Sequence, residues 1–354
     1  MTRSACQCGR RSLILGGLAA LVGAPRTFAA MPTTAAPDAI DIHHHAIPDF
    51  WFAAAEAAVR AQVGGRIGPQ WRGWTPETSL QAMDRQGVAM ALLSISAPGT
   101  WLGEVAPART LTRRCNEHLA GIVRDRPNRF GFHAALALPD VEGSLREIDH
   151  ALDVLKADGV GLMSSYGGKY LGDPQFTSVF EKLNTRKAVI YVHPVAPACC
   201  TALTPSVSPN FLEFLHDTNR AVLSLMFSGT LRRFPDLTFI FSHAGGTLPM
   251  MAGRISGLVA AYPEAAAGAP DGFAAEFRRL YFDVANSTSK ATFGAMAELV
   301  PLTQAVLGSD FPIVPYEATT RGLGALGLPG DTLRAVRRDN ALRLYPHLSA
   351  RMGG

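Results

Sequence analysis

The segment Asp41-Ile42-His43-His44-His45 sets two imidazoles two residues apart. Side chains alternate along a strand, so His43 and His45 share one direction and His44 takes the other. Two such rings can bind one ion. Three further polar groups each close an apolar run. These are His193 before Pro194, His243 in Ser242-His243-Ala244-Gly245-Gly246, and Asp310 in Gly308-Ser309-Asp310-Phe311-Pro312. A single buried histidine is ordinarily a satisfied core residue. Three runs ending in His and a fourth ending in Asp make a shared purpose the better account. Neutral imidazole with carboxylate suits Zn²⁺, Mn²⁺ or Fe²⁺. The predicted ligands are His43, His45, His193 and Asp310 around one divalent metal ion, Zn²⁺ first and Mn²⁺ second. Asp310 reduces the positive charge of that centre and can also handle a proton. His243 stands beside the ion as an acid, a base or a substrate contact. Asp310 and His243 are thus the catalytic candidates.

Such a site needs a scaffold that brings the ends of distant strands together. Strands are predicted at 40–43, 88–95, 130–136, 159–164, 188–193, 238–243, 280–284 and 305–309. Helices are predicted between them, at 111–125, 143–157, 174–186, 211–234, 250–262 and 290–299, with Asp140 and Asp173 at N-cap positions. Eight β–α alternations predict a distorted (β/α)8 TIM barrel, one domain over 38–348, with its chemistry at the carboxyl ends of the strands. A doubly wound sheet lacks support, because no G-x-G-x-x-G or Walker A sequence opens a helix after a strand. The stretch 46–80 exceeds a simple βα connection and reads as a lid over the mouth. It carries Trp51, Trp71 and Trp74 with Arg66 and Arg72. Candidate substrate contacts are Trp71, Arg72 and Lys169, and Asn286 and Ser287 face the mouth on topology.

The 354 residues are 47% apolar and 18% charged, enough to bury a large core and too apolar for a disordered chain. The net charge of +4 comes from residues 1–30, which hold Arg3, Arg10, Arg11 and Arg26 and no acid. Without them the chain is neutral, so nothing points to nucleic acid or an anionic membrane surface. Residues 1–30 are ordered like an export signal: Arg10-Arg11, an apolar stretch 13–22, then small residues at Ala29-Ala30. The arginine pair resembles a twin-arginine signal, apart from Gly9 where Ser or Thr is usual. An exported, periplasmic protein is expected, with no membrane attachment once the signal is removed. Cys6 and Cys8 leave with the signal, and Cys115, Cys199 and Cys200 remain. Neighbouring cysteines seldom bridge each other, so the limit is one ordinary disulfide with one thiol left over. No CxxC motif supports a zinc ribbon.

Together Asp41-x-His43-x-His45, Val192-His193-Pro194, Phe241-Ser242-His243-Ala244-Gly245-Gly246 and Gly308-Ser309-Asp310-Phe311-Pro312 resemble the amidohydrolase superfamily. The likeness is to its branch of aminocarboxymuconate-semialdehyde decarboxylase-like proteins, from about residue 38 to 346. It implies a distorted barrel with one divalent ion, the four ligands above, His243 acting at the substrate, and often a homodimer. Dinuclear relatives carry a bridging Lys on strand four. Here that strand reads Gly159-Val160-Gly161-Leu162-Met163-Ser164-Ser165, so one ion is expected. The stretch 164–172 and Arg186-Lys187-Ala188 resemble 6-methylsalicylate decarboxylase-like members. The expected reaction is non-oxidative decarboxylation of an aromatic or unsaturated acid, with a small carboxylate as the binding partner. Hydrolysis of a lactone or amide by metal-activated water is the alternative.

Overall fold

Runs of apolar and β-branched residues become strands buried on both faces, the pattern of a parallel sheet sheathed in helices. The computed structural model describes residues 37–200, 206–259 and 261–353. The expected export signal lies outside the described residues. Among the described residues, eight parallel strands follow one another in chain order. They are β1 (Ala39–Ala46), β2 (Val88–Ile95), β3 (Phe130–Ala135), β4 (Gly159–Met163), β5 (Val189–His193), β6 (Thr238–Phe241), β7 (Tyr281–Asp283) and β8 (Ala305–Val306). The ring closes where β8 meets β1. Ile42 N donates to Leu307 O (2.9 Å), Asp310 N to His43 O (2.9 Å) and His45 N to Phe311 O (2.7 Å). The result is the TIM barrel expected from the sequence.

Ile40, Ile42, Met90, Leu92, Tyr191, Ile240 and Val306 pack within one buried cluster, joined by Tyr345 and Leu348 from the C-terminal tail. Each such burial contributes about 1.5–3 kcal/mol. A second, larger cluster lines the contact between sheet and helices. The register of β1 against β2 shifts between Asp41 and His44. This irregularity sits at the histidine triplet.

Two expectations change. The stretch 46–80, read as a lid, is built largely of packed helices: it holds helix α1 (Asp49–Gln62) and the start of helix α2 (Pro76–Gln86). Trp51, Phe52, Ala55 and Val59 recur at helical spacing and are buried, which fixes α1 against the barrel. The predicted helix 211–234 is broken into Glu213–Phe227 and Thr230–Arg233 by Gly229, whose φ of +73° suits glycine. Asp173 caps as expected, accepting from Gln175 N at 2.9 Å. Asp140 makes no cap hydrogen bond, because Arg109 takes its carboxylate through both Nε and Nη2.

A candidate metal centre at the barrel mouth

β1 delivers His43 and His45, β5 ends in His193, and the turn after β8 delivers Asp310. His43 Nε2 and His45 Nε2 lie 3.1 Å apart. Asp310 Oδ1 is 3.3 Å from the first and 3.1 Å from the second. His193 completes the group, whose ligand atoms all lie within 4.8 Å of one another. Two donors 2.0–2.1 Å from one tetrahedral ion sit roughly 3.4 Å apart. The spacing therefore fits a single divalent ion, and three imidazoles with one carboxylate are a suitable donor set.

The back of each ring is held. His43 Nδ1 lies 3.0 Å from Asp283 Oδ2. His193 Nδ1 donates to Pro194 O (2.8 Å) and His243 Nδ1 to Ala285 O (3.1 Å). A carbonyl only accepts, so both rings carry a proton on Nδ1, and in His193, whose pKa burial lowers, Nε2 is left with its lone pair. This is the outer support that orients ligating histidines. Asp283 is the residue that sequence reasoning missed. It is fully buried at the end of β7 and also accepts from His243 N (3.1 Å) and Ala285 N (2.9 Å). The rule that found the others, a polar group at the carboxyl end of an apolar strand, holds for it too.

The electrostatics follow from burial and two carboxylates. Burial opposes charge on His43, but Asp283 and Asp310 outweigh it and raise its pKa to about 10. Burial dominates at His45 and His193 and lowers both. Burial also opposes charge on Asp310, yet His43 and His45 hold it well below the usual carboxylate range. The cluster thus calls for positive charge at its centre, which is what a divalent ion brings.

A cavity of about 250 Å³ opens over the cluster. His193, His243, Asp310, Asn286, Ser287 and Trp71 line it, with Phe214, Ile313 and Val314 as apolar wall. Asn286 Nδ2 donates to Asp310 Oδ2 at 3.0 Å. His243, Ala244, Asn286 and Asp310 all have φ between 53° and 63°. Strain of this kind in non-glycine residues collects at functional sites. Gly308 permits the turn: a Cβ there would lie 2.8 Å from the Cβ atoms of His43 and Asp283.

The expected substrate contacts divide. Trp71 lines the cavity and stacks on Phe52. Arg72 does not line it: its side chain is 59% exposed and bound to Glu56 (2.9 Å). Lys169 sits on the Ser165–Tyr170 hairpin, 43% exposed and 3.5 Å from Asp173. Both pair with acidic neighbours outside the cavity. Arg66 is exposed. Trp51 and Trp74 are structural, donating to Gly99 O (2.9 Å) and Ser79 Oγ (3.0 Å).

Known proteins share this architecture. The 6-methylsalicylic acid decarboxylase of Penicillium expansum is 34% identical over 316 residues, covering 87% of this chain and 96% of that one. The 6-methylsalicylic acid decarboxylase of Aspergillus aculeatus is 33% identical over 321 residues, covering 87% and 96%. Among solved structures, a dihydroxybenzoic acid decarboxylase from Polaromonas, with bound manganese and the inhibitor 2-nitroresorcinol, superposes with a TM-score of 0.77. It is 19% identical and is covered over 97% of its length by 87% of this chain, a likeness of fold. The amidohydrolase family model matches residues 40–347, and the chain belongs to that family.

Proposed function

We propose that this chain is a metal-dependent, non-oxidative decarboxylase of a salicylate-type acid. The observation that carries the reading is the convergence of His43, His45, His193 and Asp310 beneath a cavity with no Arg or Lys among its described lining residues. The acid's negative charge therefore finds its counter-charge at the metal centre, while Trp71, Phe214, Ile313 and Val314 accept an apolar ring. The curated 6-methylsalicylic acid decarboxylases support this reading over hydrolysis of a lactone or amide. Zn²⁺ is proposed on the donor set. Manganese in the Polaromonas structure supports Mn²⁺ as the second candidate.

When bound, the ion supplies the positive charge that anchors the carboxylate and phenol oxygens. The residues of the chain do the rest. Asp310, kept ionised by His43 and His45, takes the phenol proton and delivers it to the ring carbon that bears the carboxylate. The ring loses aromaticity, the C–C bond breaks, CO₂ leaves, and the electron pair restores the ring as phenolate. His243, its Nδ1 tied to Ala285 O, offers Nε2 to the substrate oxygen. Asn286 steadies Asp310 through its other oxygen.

The test is direct. Metal-loaded protein incubated with 6-methylsalicylate releases CO₂ and 3-methylphenol in equal amounts, and a chelator stops it. Acid released from lactones, with no CO₂ from any salicylate, would sink the proposal.

A further inference from the structure

The loop after β5 carries two adjacent thiols that decarboxylation does not use. The Sγ atoms of Cys199 and Cys200 lie 2.7 Å apart, inside ordinary non-bonded contact. Neighbouring cysteines usually diverge. Here Cys200 N donates to Pro197 O (3.0 Å), closing a turn in which the two sulfurs converge. Cys199 is exposed and Cys200 half-buried. The Arg220 guanidinium reaches to 4.0 Å from Cys200 Sγ, but the neighbouring Cys199 thiol and burial outweigh it and push the Cys200 thiol up, so what marks the pair is the approach of its two sulfurs. Cys115 is no competitor. It is fully buried in the helix Val105–Asp125, and burial pushes its thiol up to about 12.

We propose that Cys199 and Cys200 form a redox-active vicinal dithiol, which a low-molecular-weight disulfide converts to an intramolecular disulfide. One thiolate attacks a sulfur of the small disulfide, forming a mixed disulfide and releasing one small thiol. The neighbour gives up its proton, attacks the protein sulfur of that mixed bond and expels the second small thiol. Two protein thiols lose two electrons, and one small disulfide becomes two thiols.

The loop also reaches the substrate cavity. Gln62 lines that cavity and clasps the loop, accepting from Ala196 N (2.6 Å) and donating to Ala196 O (3.3 Å). His193 begins the same loop. Ring closure at 199–200 restrains the peptide three residues beyond the clasp, so oxidation changes KM and leaves the metal in place. This coupling rests on the decarboxylase reading; the thiol chemistry does not.

The experiment treats the reduced, metal-loaded full chain with oxidised glutathione and maps non-reduced fragments by mass. The expected fragment spanning 199–200 is lighter by two hydrogens and carries no glutathione. C199S and C200S each stop at the mixed disulfide on the remaining thiol. Glutathione retained on either cysteine of the unsubstituted chain, or chains linked to each other through this fragment, would overturn the dithiol. For the coupling, KM for 6-methylsalicylate shifts about fivefold on oxidation, the lower end of ordinary site-to-site coupling. It returns with reductant, and metal content is constant. An unchanged KM with the ring closed would overturn the coupling. No turnover in either redox state, with the ring still closing, would locate the failure in the decarboxylase reading instead.

Discussion

His43 and His44 are neighbours on β1, both fully buried, and each has an aspartate at its Nδ1. Their second nitrogens differ. His44 Nε2 accepts from Ser79 Oγ at 2.8 Å, and Ser79 in turn accepts from Trp74 Nε1. Its partner Asp41 also takes the Ser309 hydroxyl (2.6 Å), the Ser309 amide (3.0 Å) and the Tyr316 hydroxyl. That network ties β1 to the end of β8. His43 Nε2 instead meets His45 and Asp310. His44 spends both nitrogens on the protein, whereas His43 spends one and turns the other to a shared point.

The largest expected effect breaks this pair apart. His43→Ala and His193→Ala each lose the bound metal and all turnover above background, read by elemental analysis and CO₂ release. His44→Gln keeps one equivalent of metal and is destabilised by about 1–3 kcal/mol, since it leaves buried partners unpaired. Metal lost equally from His44→Gln would erase the distinction.

His133 sharpens the contrast from inside the barrel. Its Nε2 meets Tyr345 OH at 2.7 Å, and its Nδ1 has no partner. Among the described residues no other metal-ligating donors converge on it, so one spare nitrogen is not a metal site. Burial lowers its pKa from 6.5 to about 4. Between those values the unfolded chain takes up a proton that the folded chain refuses. Stability from this group is complete above pH 6.5 and is lost as pH falls towards 4, by about 3 kcal/mol in all. Urea unfolding of His133→Gln should show a shallower acid limb across that window, and an unaltered limb would refute the assignment.

Asp283 tests the support behind the ligand. Asp283→Asn keeps the shape and removes the charge behind His43. Metal affinity should fall roughly 10–100-fold with the fold intact, the usual cost of losing an outer partner. Titration of apo protein with Mn²⁺ reads this.

The barrel and the four donors were legible because each donor ends an apolar strand, and strand ends of a parallel barrel share one face. Asp283 obeys the same rule but sits inside Tyr281-Phe282-Asp283-Val284, where it reads as a strand residue. Helix α1 was hidden in plain periodicity: the tryptophans drew attention to a lid, while Trp51, Ala55 and Val59 were already spaced for a helix. The role of Asp41 was not legible at all, since Ser309 and Tyr316 reach it only after the barrel closes. Sequence shows what a group can do; the closure of the ring decides where it points.

Trp71 and Arg72 repeat the histidine contrast on a smaller scale. They are adjacent, and both were expected at the substrate. Trp71 is 4% exposed and lines the cavity, while the Arg72 side chain is 59% exposed, paired with Glu56 and set over the Phe52 ring at 5.1 Å. Loss of an apolar contact near 1.4 kcal/mol raises KM roughly tenfold, so Trp71→Leu should do this with little change in kcat. An exposed ion pair is worth about 0–1 kcal/mol and is screened by salt. Arg72→Ala should therefore leave kcat and KM within about twofold of the unsubstituted enzyme. A large rise in KM for Arg72→Ala, with Trp71→Leu unaffected, would mean that the substrate binds outside the cavity, against the face that Arg72 presents.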